Sequence, residues 1–270
     1  MRTVLVTGAS SGIGKATAEK LLEKGYRVFV AARRVEKMRG LEAAGAAPIV
    51  MDITKDQDIV SAVQRITAEH GGIEILINNA GYGSYGAIED VPIEEASRQF
   101  EVNVFGLARL TQLVLPTMRE NRFGKIVNIT SIGGKIYTPF GGWYHATKFA
   151  LEGWSDSLRL ETKPFGIDVI IVEPGGIKTD WGLIAADHLR KTSGNGSYAK
   201  AANKTADTMA KSYSGEQLSN PSVVASTILK AVTARKPKTR YHTGYGAGAI
   251  LMARRILTDR MFDRVVSSMM

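Results

Sequence analysis

Tyr144 and Lys148 stand four residues apart in the segment YHATK, so on a helix the phenol and the ammonium share one face. A phenol with a pKa of about 10 is a poor proton donor at neutral pH, and a neighbouring ammonium draws that value toward the working range. Such a pair suits a step in which a carbonyl becomes an alkoxide and must take up a proton. Thirteen residues before Tyr144, Ser131 ends an apolar run, where its hydroxyl can polarise that carbonyl.

A second constellation lies near the N-terminus. The segment TGASSGIGKA places Gly8, Gly12 and Gly14 around Ser10, Ser11 and Ile13, directly after an apolar run and before a helical pattern. A tight glycine turn opening a helix lets a pyrophosphate approach backbone N–H groups at the positive end of the helix dipole. In dinucleotide sites an acidic residue at the end of the second strand binds the ribose 2′-hydroxyl. Here the second apolar run ends Ala31-Ala32-Arg33-Arg34, with no acid and two guanidiniums. A carboxylate would repel a 2′-phosphate, whereas arginine binds one through charge-assisted hydrogen bonds. The expected cofactor is NADP(H), with Arg33 as its principal contact and Arg34 assisting or stacking on adenine.

Placing these residues together requires alternating strands and helices. Val/Ile-rich runs at Thr3–Thr7, Arg27–Ala31, Ile49–Asp52, Ile73–Asn78, Lys125–Thr130 and Asp168–Val172 read as strands buried on both faces. Between them Gly12–Lys24, Glu36–Ala44, Asp56–His70, Ile93–Arg119 and Tyr144–Lys163 read as helices, with Gly25 and Gly45 at C-terminal cap positions. Ser222–Ala234 adds a helix and Lys238–His242 a last edge strand. The pattern predicts an α/β doubly wound parallel sheet, a Rossmann fold in three layers with about seven strands, as one domain over 1–270. Residues 182–220 interrupt the final crossover and are expected to form a substrate lid, with a passive surface loop as the alternative. Residues 236–270 form a helical C-terminal extension.

The ordered motifs TGASSGIG, Asp52, NNAG (78–81), Asn103 in NVFG, Ser131, YHATK and PGGIKT (174–179) together span about 180 residues. In this order the chain resembles the short-chain dehydrogenase/reductase family in its compact single-domain branch. Over AGYGSYGAIEDVPIEE and the basic C-terminus it resembles the subgroup with hydroxysteroid and retinol dehydrogenases and acyl-dihydroxyacetone-phosphate reductase. The resemblance implies hydride transfer between the nicotinamide and a carbonyl or secondary alcohol, with Ser131, Tyr144, Lys148 and Asn103 catalytic. It assigns Lys148 also to the nicotinamide ribose and Asn103 to a water in the proton relay, a buried structural amide being the alternative for Asn103. Asp52 and Ile53 would face the adenine, or Asp52 would cap a helix. Asn79, Ala80 and Gly81 would line the adenosine ribose, and Pro174, Gly175, Ile177 and Thr179 the nicotinamide. Family members pair through their long helices, so a homodimer or homotetramer is implied. A non-catalytic NADP-binding sensor on the same fold is the competing reading.

Aromatic and aliphatic residues near the expected cleft (Tyr82, Tyr85, Ile132, Tyr137, Phe140, Trp143, Trp181 and Leu183) favour a small hydrophobic carbonyl or alcohol substrate. Composition narrows the remaining classes. There is no cysteine, and the four histidines (His70, His145, His188, His242) lack ligand spacing, so no metal site is expected. No apolar run approaches the ~20 residues of a membrane span, and a cytoplasmic location is expected. Net charge is +9, and nine Lys/Arg against two Asp from Lys230 onward place +7 of it in that last stretch. No nucleic-acid motif accompanies this charge. It reads either as a solvated helix face or as a contact for an anionic partner, including peripheral contact with a membrane.

Overall fold

In β1 (Thr3–Thr7), Val4 and Val6 enter one apolar layer while Leu5 enters the other. The neighbouring strands divide in the same way, Val28 and Val30 from Phe29, Ile75 and Ile77 from Leu76. This two-sided burial is why the runs are continuously apolar rather than alternating. The computed structural model describes residues 1–268. Among them β1, β2 (Arg27–Ala32), β3 (Ala47–Val50), β4 (Ile75–Asn78), β5 (Gly124–Ile129), β6 (Ile167–Pro174) and β7 (Arg240–Thr243) form one parallel sheet. Its order is β3-β2-β1-β4-β5-β6-β7, the doubly wound Rossmann arrangement. The chain first winds outward from β1 to β3, then returns to β4 on the other side of β1. The crevice at the carboxyl ends of β1 and β4 is therefore the switch point where ligands bind in such sheets.

One layer holds α1 (Gly12–Glu23), the short α2 (Arg39–Ala43) and α9 (Pro221–Thr233). The opposite layer holds α3 (Asp56–His70), α4 (Ile93–Phe100), α5 (Gly106–Glu120) and α6 (Gly142–Thr162). Buried Lys125 in β5 donates to the carbonyls of Val232 and Ala234, closing the C-terminal end of α9.

Several boundaries depart from the sequence pattern. The helix expected over Ile93–Arg119 is divided by a π turn at Glu101–Phe105, which separates α4 from α5. Strand β3 ends at Val50, so Asp52 lies in the turn beyond it and not at the strand end. The segment 182–220 is a helical hairpin of α7 (Trp181–Ser193) and α8 (Ala199–Ser214). The Ala and Gly residues that gave it a loop-like composition let the two helices meet closely: Ala185, Ala186, Ala202 and Ala206 are fully buried in their contact. The C-terminal extension is α10 (Ala247–Ile256) and α11 (Asp259–Ser268), with its last two positions, 269 and 270, outside the described residues. No described helix is long and apolar enough to cross a membrane.

Candidate active site

The glycine loop is held by residues from β1 and from the segment after β4. The Thr7 hydroxyl accepts from the Asn79 and Ala80 amides, both at 3.0 Å. The Asn79 side-chain amide donates back to the Thr7 carbonyl at 2.9 Å and the Gly8 carbonyl at 3.3 Å. Gly8 has φ +66°, and a Cβ there would lie 2.9 Å from Ala80 Cα. A Cβ at Gly14 would come within 2.5 Å of both Gly8 O and Asn79 Nδ2. Sterics thus require glycine at both positions before any ligand is considered.

The end of α1 fits an anion. Its N-cap residue Ser11 makes no side-chain capping bond and its first turn contains no acid. The first-turn N–H groups are therefore not covered by a carboxylate or capping oxygen, and the helix dipole adds positive potential there. Ser10 and Ile13 flank this end half-exposed, and the methyl of Thr179 stands over Gly12, where a Cβ would be 3.2 Å from it.

Arg33 and Arg34 follow β2 and are exposed. The Arg33 guanidinium acts on both Asp52 and Tyr82, which places it near the turns that follow β3 and β4. The Asp52 carboxylate accepts from the Thr54 amide at 3.0 Å and hydroxyl at 2.8 Å. Burial pulls this carboxyl up, but the Thr54 bonds and the charges of Arg33 and Lys55 outweigh it and hold it below its usual range. Ile53 is buried with its carbonyl pressed against Gly106, so the Asp52–Ile53 turn is fixed by packing on α5.

Ser131, Tyr144 and Lys148 converge at the end of β5. Ser131 caps a short turn through its Oγ, which accepts from the Gly133 amide at 3.0 Å. It also acts on the Tyr144 phenol. Burial pushes that phenol up to about 12, with Ser131 pulling the other way. The net direction is opposite to the lowering expected from Lys148, because desolvation is the largest influence on the group. Lys148 donates to the Ile129 carbonyl at 3.0 Å, and its Nζ lies 5.9 Å from the centre of the Tyr144 ring. Burial strips Lys148 of hydration and lowers it to about 8, opposed by Glu152.

Asn103 sits in the π turn, whose register shift turns its side chain inward. It accepts from the Tyr82 amide at 3.0 Å and donates to the Tyr82 carbonyl and the Thr147 hydroxyl at 2.9 and 3.1 Å. Gly81 packs between it and Lys148, since a Cβ at Gly81 would lie 3.1 Å from Asn103 Oδ1 and 3.8 Å from Lys148 Nζ. The turn after β6 is stitched on both sides: Gly175 N donates to Thr243 O at 2.8 Å, and buried Ile177 bridges to Ser219. Pro174 ends β6, and Thr179 leads into α7.

The pocket wall differs from expectation. Trp181 lies 5.0 Å from Tyr144 between ring centres, Tyr85 lies 5.9 Å from Tyr144, and Tyr213 of α8 backs Trp181 at 6.1 Å. Tyr137 instead joins the C-terminal helices, donating to Asp263 at 2.9 Å and packing on Phe262. Ile132 packs in that same cluster. Trp143 lines an outer groove between α4, the π turn and α6, and Leu183 faces outward. The phase of α6 and α7 turns Trp143 and Leu183 outward, while the loop after Ser131 carries Ile132 and Tyr137 to the C-terminal helices. Spacing also gave no sign of Thr7, Thr147 or Tyr213, whose partners are remote in the chain. His145 could have been noticed beside Tyr144: its Nε2 accepts from the Thr138 amide, so Nδ1 carries the proton and donates to Gly133 O at 2.9 Å. This holds the loop that begins at Ser131, and burial keeps the ring neutral.

Behind Lys148 is a charged cluster. Glu152, one turn further along α6, accepts from Arg240 at 3.0 Å and pairs with Lys135 at 2.9 Å. Arg240 also binds Asp156 and lies 3.7 Å from Glu173. Burial, then repulsion from Glu152, raises Glu173 from 4.5 to about 7 against Lys135 and Arg240. The folded chain thus holds this proton more tightly than the unfolded chain. Its contribution is least unfavourable below pH 4.5, worsens as pH rises to about 7, and then levels off. Glu173→Gln is expected to remove this slope, gaining roughly 3 kcal/mol relative to the parent between pH 5 and 8 at about 1.4 kcal/mol per unit. Urea midpoints across that range test it, and parallel curves for the two proteins would refute it.

The family described as short chain dehydrogenase matches residues 2–186 in a comparison of sequence models. The chain is 44% identical over 176 residues to 3-ketodihydrosphingosine reductase of Bacteroides thetaiotaomicron, covering 65% of this chain and 64% of that protein. It is 36% identical over 277 residues to the NADPH-dependent 3-dehydrocapnine reductase of Ornithobacterium rhinotracheale, covering 98% and 96%. Among solved structures it superimposes on a short-chain dehydrogenase from Streptomyces avermitilis with a TM-score of 0.83 at 34% identity, covering 98% and 96%.

Proposed function

The chain belongs to the short-chain dehydrogenase/reductase family of nicotinamide-dependent oxidoreductases, and on that premise we propose that it is an NADP(H)-dependent reductase of a hydrophobic ketone. The observation that carries this reading is the convergence of Ser131, Tyr144 and Lys148 beneath an aromatic lid, opposite a strand end bearing Arg33 and no acid.

In this reading the pyrophosphate rests on Gly8, Ser10, Ser11, Gly12, Ile13 and Gly14. Arg33 and Arg34 hold the 2′-phosphate, while Asp52 and Ile53 face the adenine. Asn79, Ala80 and Gly81 line the adenosine ribose, and Lys148 holds the hydroxyls of the other ribose. Pro174, Gly175, Ile177 and Thr179 frame the nicotinamide, which when bound in reduced form supplies the hydride. Ser131 polarises the substrate carbonyl, and Tyr144, protonated at neutral pH, delivers its proton to the developing alkoxide. Lys148 then provides positive charge beside the phenolate. Asn103 keeps Gly81–Tyr82 in place and anchors the water that returns a proton toward Lys148.

Residues 182–220, with Trp181 at their head, act as the substrate lid, since Trp181 must swing from Tyr144 before a substrate reaches it. The apolar lining supports a lipid-like ketone, steroid, retinoid or acyl in kind. The names of the sphingoid and capnine reductases support the acyl member of that class. The enzyme is read as cytoplasmic and as a homodimer or homotetramer. Ile93 of α4 and Phe105 of the π turn are exposed beside a groove of about 310 Å³, and Phe149 and Leu160 are exposed on α6, which supports pairing through these helices.

The test is NADPH oxidation followed at 340 nm with long-chain 3-keto compounds, steroids and short ketones. Turnover rising with chain length is expected. Tight NADPH binding without turnover on any of them would replace the enzyme reading with the sensor.

A further inference from the structure

Helix α10 is apolar on two sides. Ile250 and Leu257 pack against the cluster built from Ile136, Phe262 and Val266, and Ala247 is buried beside Gly175. Ala249, Met252 and Ile256, spaced by three and four, face outward, with Met252 56% and Ile256 71% exposed. Tyr245, just before the helix, and Met261 of α11 extend the same exposed apolar set at 54% and 48%. A helix needs only one apolar side to pack on its own domain, so the outer stripe is left without a partner.

The charges around it are one-sided. Both acids of the segment are already engaged: Asp259 pairs with Arg254 at 2.9 Å, and Asp263 accepts from Tyr137. Arg254 itself turns inward over Tyr137 and Phe262. Arg255, Arg260 and Arg264 are exposed and pair with no acid among the described residues. Arg260, Met261 and Arg264 share the outer face of α11, opposite buried Phe262 and Val266.

From this we propose that the outer face of α10–α11 docks on an anionic lipid bilayer. Met252, Ile256 and Met261 enter the interfacial region, and Arg255, Arg260 and Arg264 meet the headgroups. A second copy of the chain suits the face poorly, because a two-fold contact sets the same arginines against one another with no acid to answer them. The inner side of this helix pair packs on Ile132 and Ile136, in the loop that starts at Ser131.

Vesicle binding needs neither substrate nor cofactor, so the surface is tested apart from the reaction. The full chain is sedimented with vesicles of phosphatidylcholine alone and with phosphatidylglycerol added. Binding only to the anionic vesicles, weakened by salt, is expected. The variant Arg255→Gln/Arg260→Gln/Arg264→Gln should partition roughly 100-fold less, and Arg260→Gln alone about fivefold less. Met252→Ser/Ile256→Ser should also bind more weakly, with all variants keeping the parent melting temperature. Equal binding to neutral vesicles, no binding to either, or unchanged binding by the variants would overturn the proposal. So would a smaller assembly size for Met252→Ser/Ile256→Ser, which would make the face a contact between copies.

Discussion

Tyr144→Phe is expected to reduce kcat by about 10³- to 10⁴-fold, at the upper end for loss of a general acid. The ring should stay where it is, since Phe keeps the ring contacts with Tyr85 and Trp181, at 5.9 and 5.0 Å between centres. Ser131 loses one neighbour, a structural effect of about 1 kcal/mol. NADPH affinity should therefore change little, and single-turnover NADPH oxidation against a fluorescence titration separates the two quantities. An equal loss of binding and turnover would mean that the phenol holds the cofactor and does not transfer the proton. The pH profile gives a second readout. With Tyr144 pushed up to about 12, the acid is present throughout the neutral range, so reduction should not fall there through its ionisation. Reduction should instead decline above about pH 8, where Lys148 loses its charge.

Arg33→Ala should lower kcat/KM for NADPH by about 10²-fold, the scale of losing charge-assisted hydrogen bonds to a phosphate. The value for NADH should stay within about twofold, because the 2′-hydroxyl offers that guanidinium no anion. Arg33 also helps to hold the Asp52 carboxyl down. A loss of equal size for both cofactors would therefore show that its part is to steady the Asp52 turn and not to read the third phosphate. Parallel titrations with the two reduced cofactors decide between these roles.

Much of the fold was legible because it depends on short-range patterns. Thr3–Thr7 and its companion runs are apolar without alternation, and only a sheet covered on both faces buries such strands fully. Gly25 was recognisable as a helix end, and it has φ +77°. The π turn was not legible, since Glu101–Phe105 carries no sequence signal beyond an ordinary helical pattern. Its extra residue is stabilised by Asn103 binding Tyr82, a partner 21 positions away. The hairpin α7–α8 was hidden by its own composition, because close helix contact and loose loop both favour Ala, Gly and Ser.

The sequence alone determined the chemistry this protein can attempt. A phenol and an ammonium one helical turn apart, a hydroxyl at a strand end, a glycine turn opening a helix, and arginine in place of an acid are all local properties. Only the tertiary structure decided how those groups are poised. The climb of Tyr144 to about 12 and the fall of Lys148 to about 8 come from burial, which depends on every element packed above them. The wall over the phenol is equally non-local: Trp181 and Tyr213 reach it from helices that follow β6, while Tyr137 and Trp143, nearer in sequence, point elsewhere. Spacing along the chain places a side chain on a face, and packing between distant elements decides what that face meets.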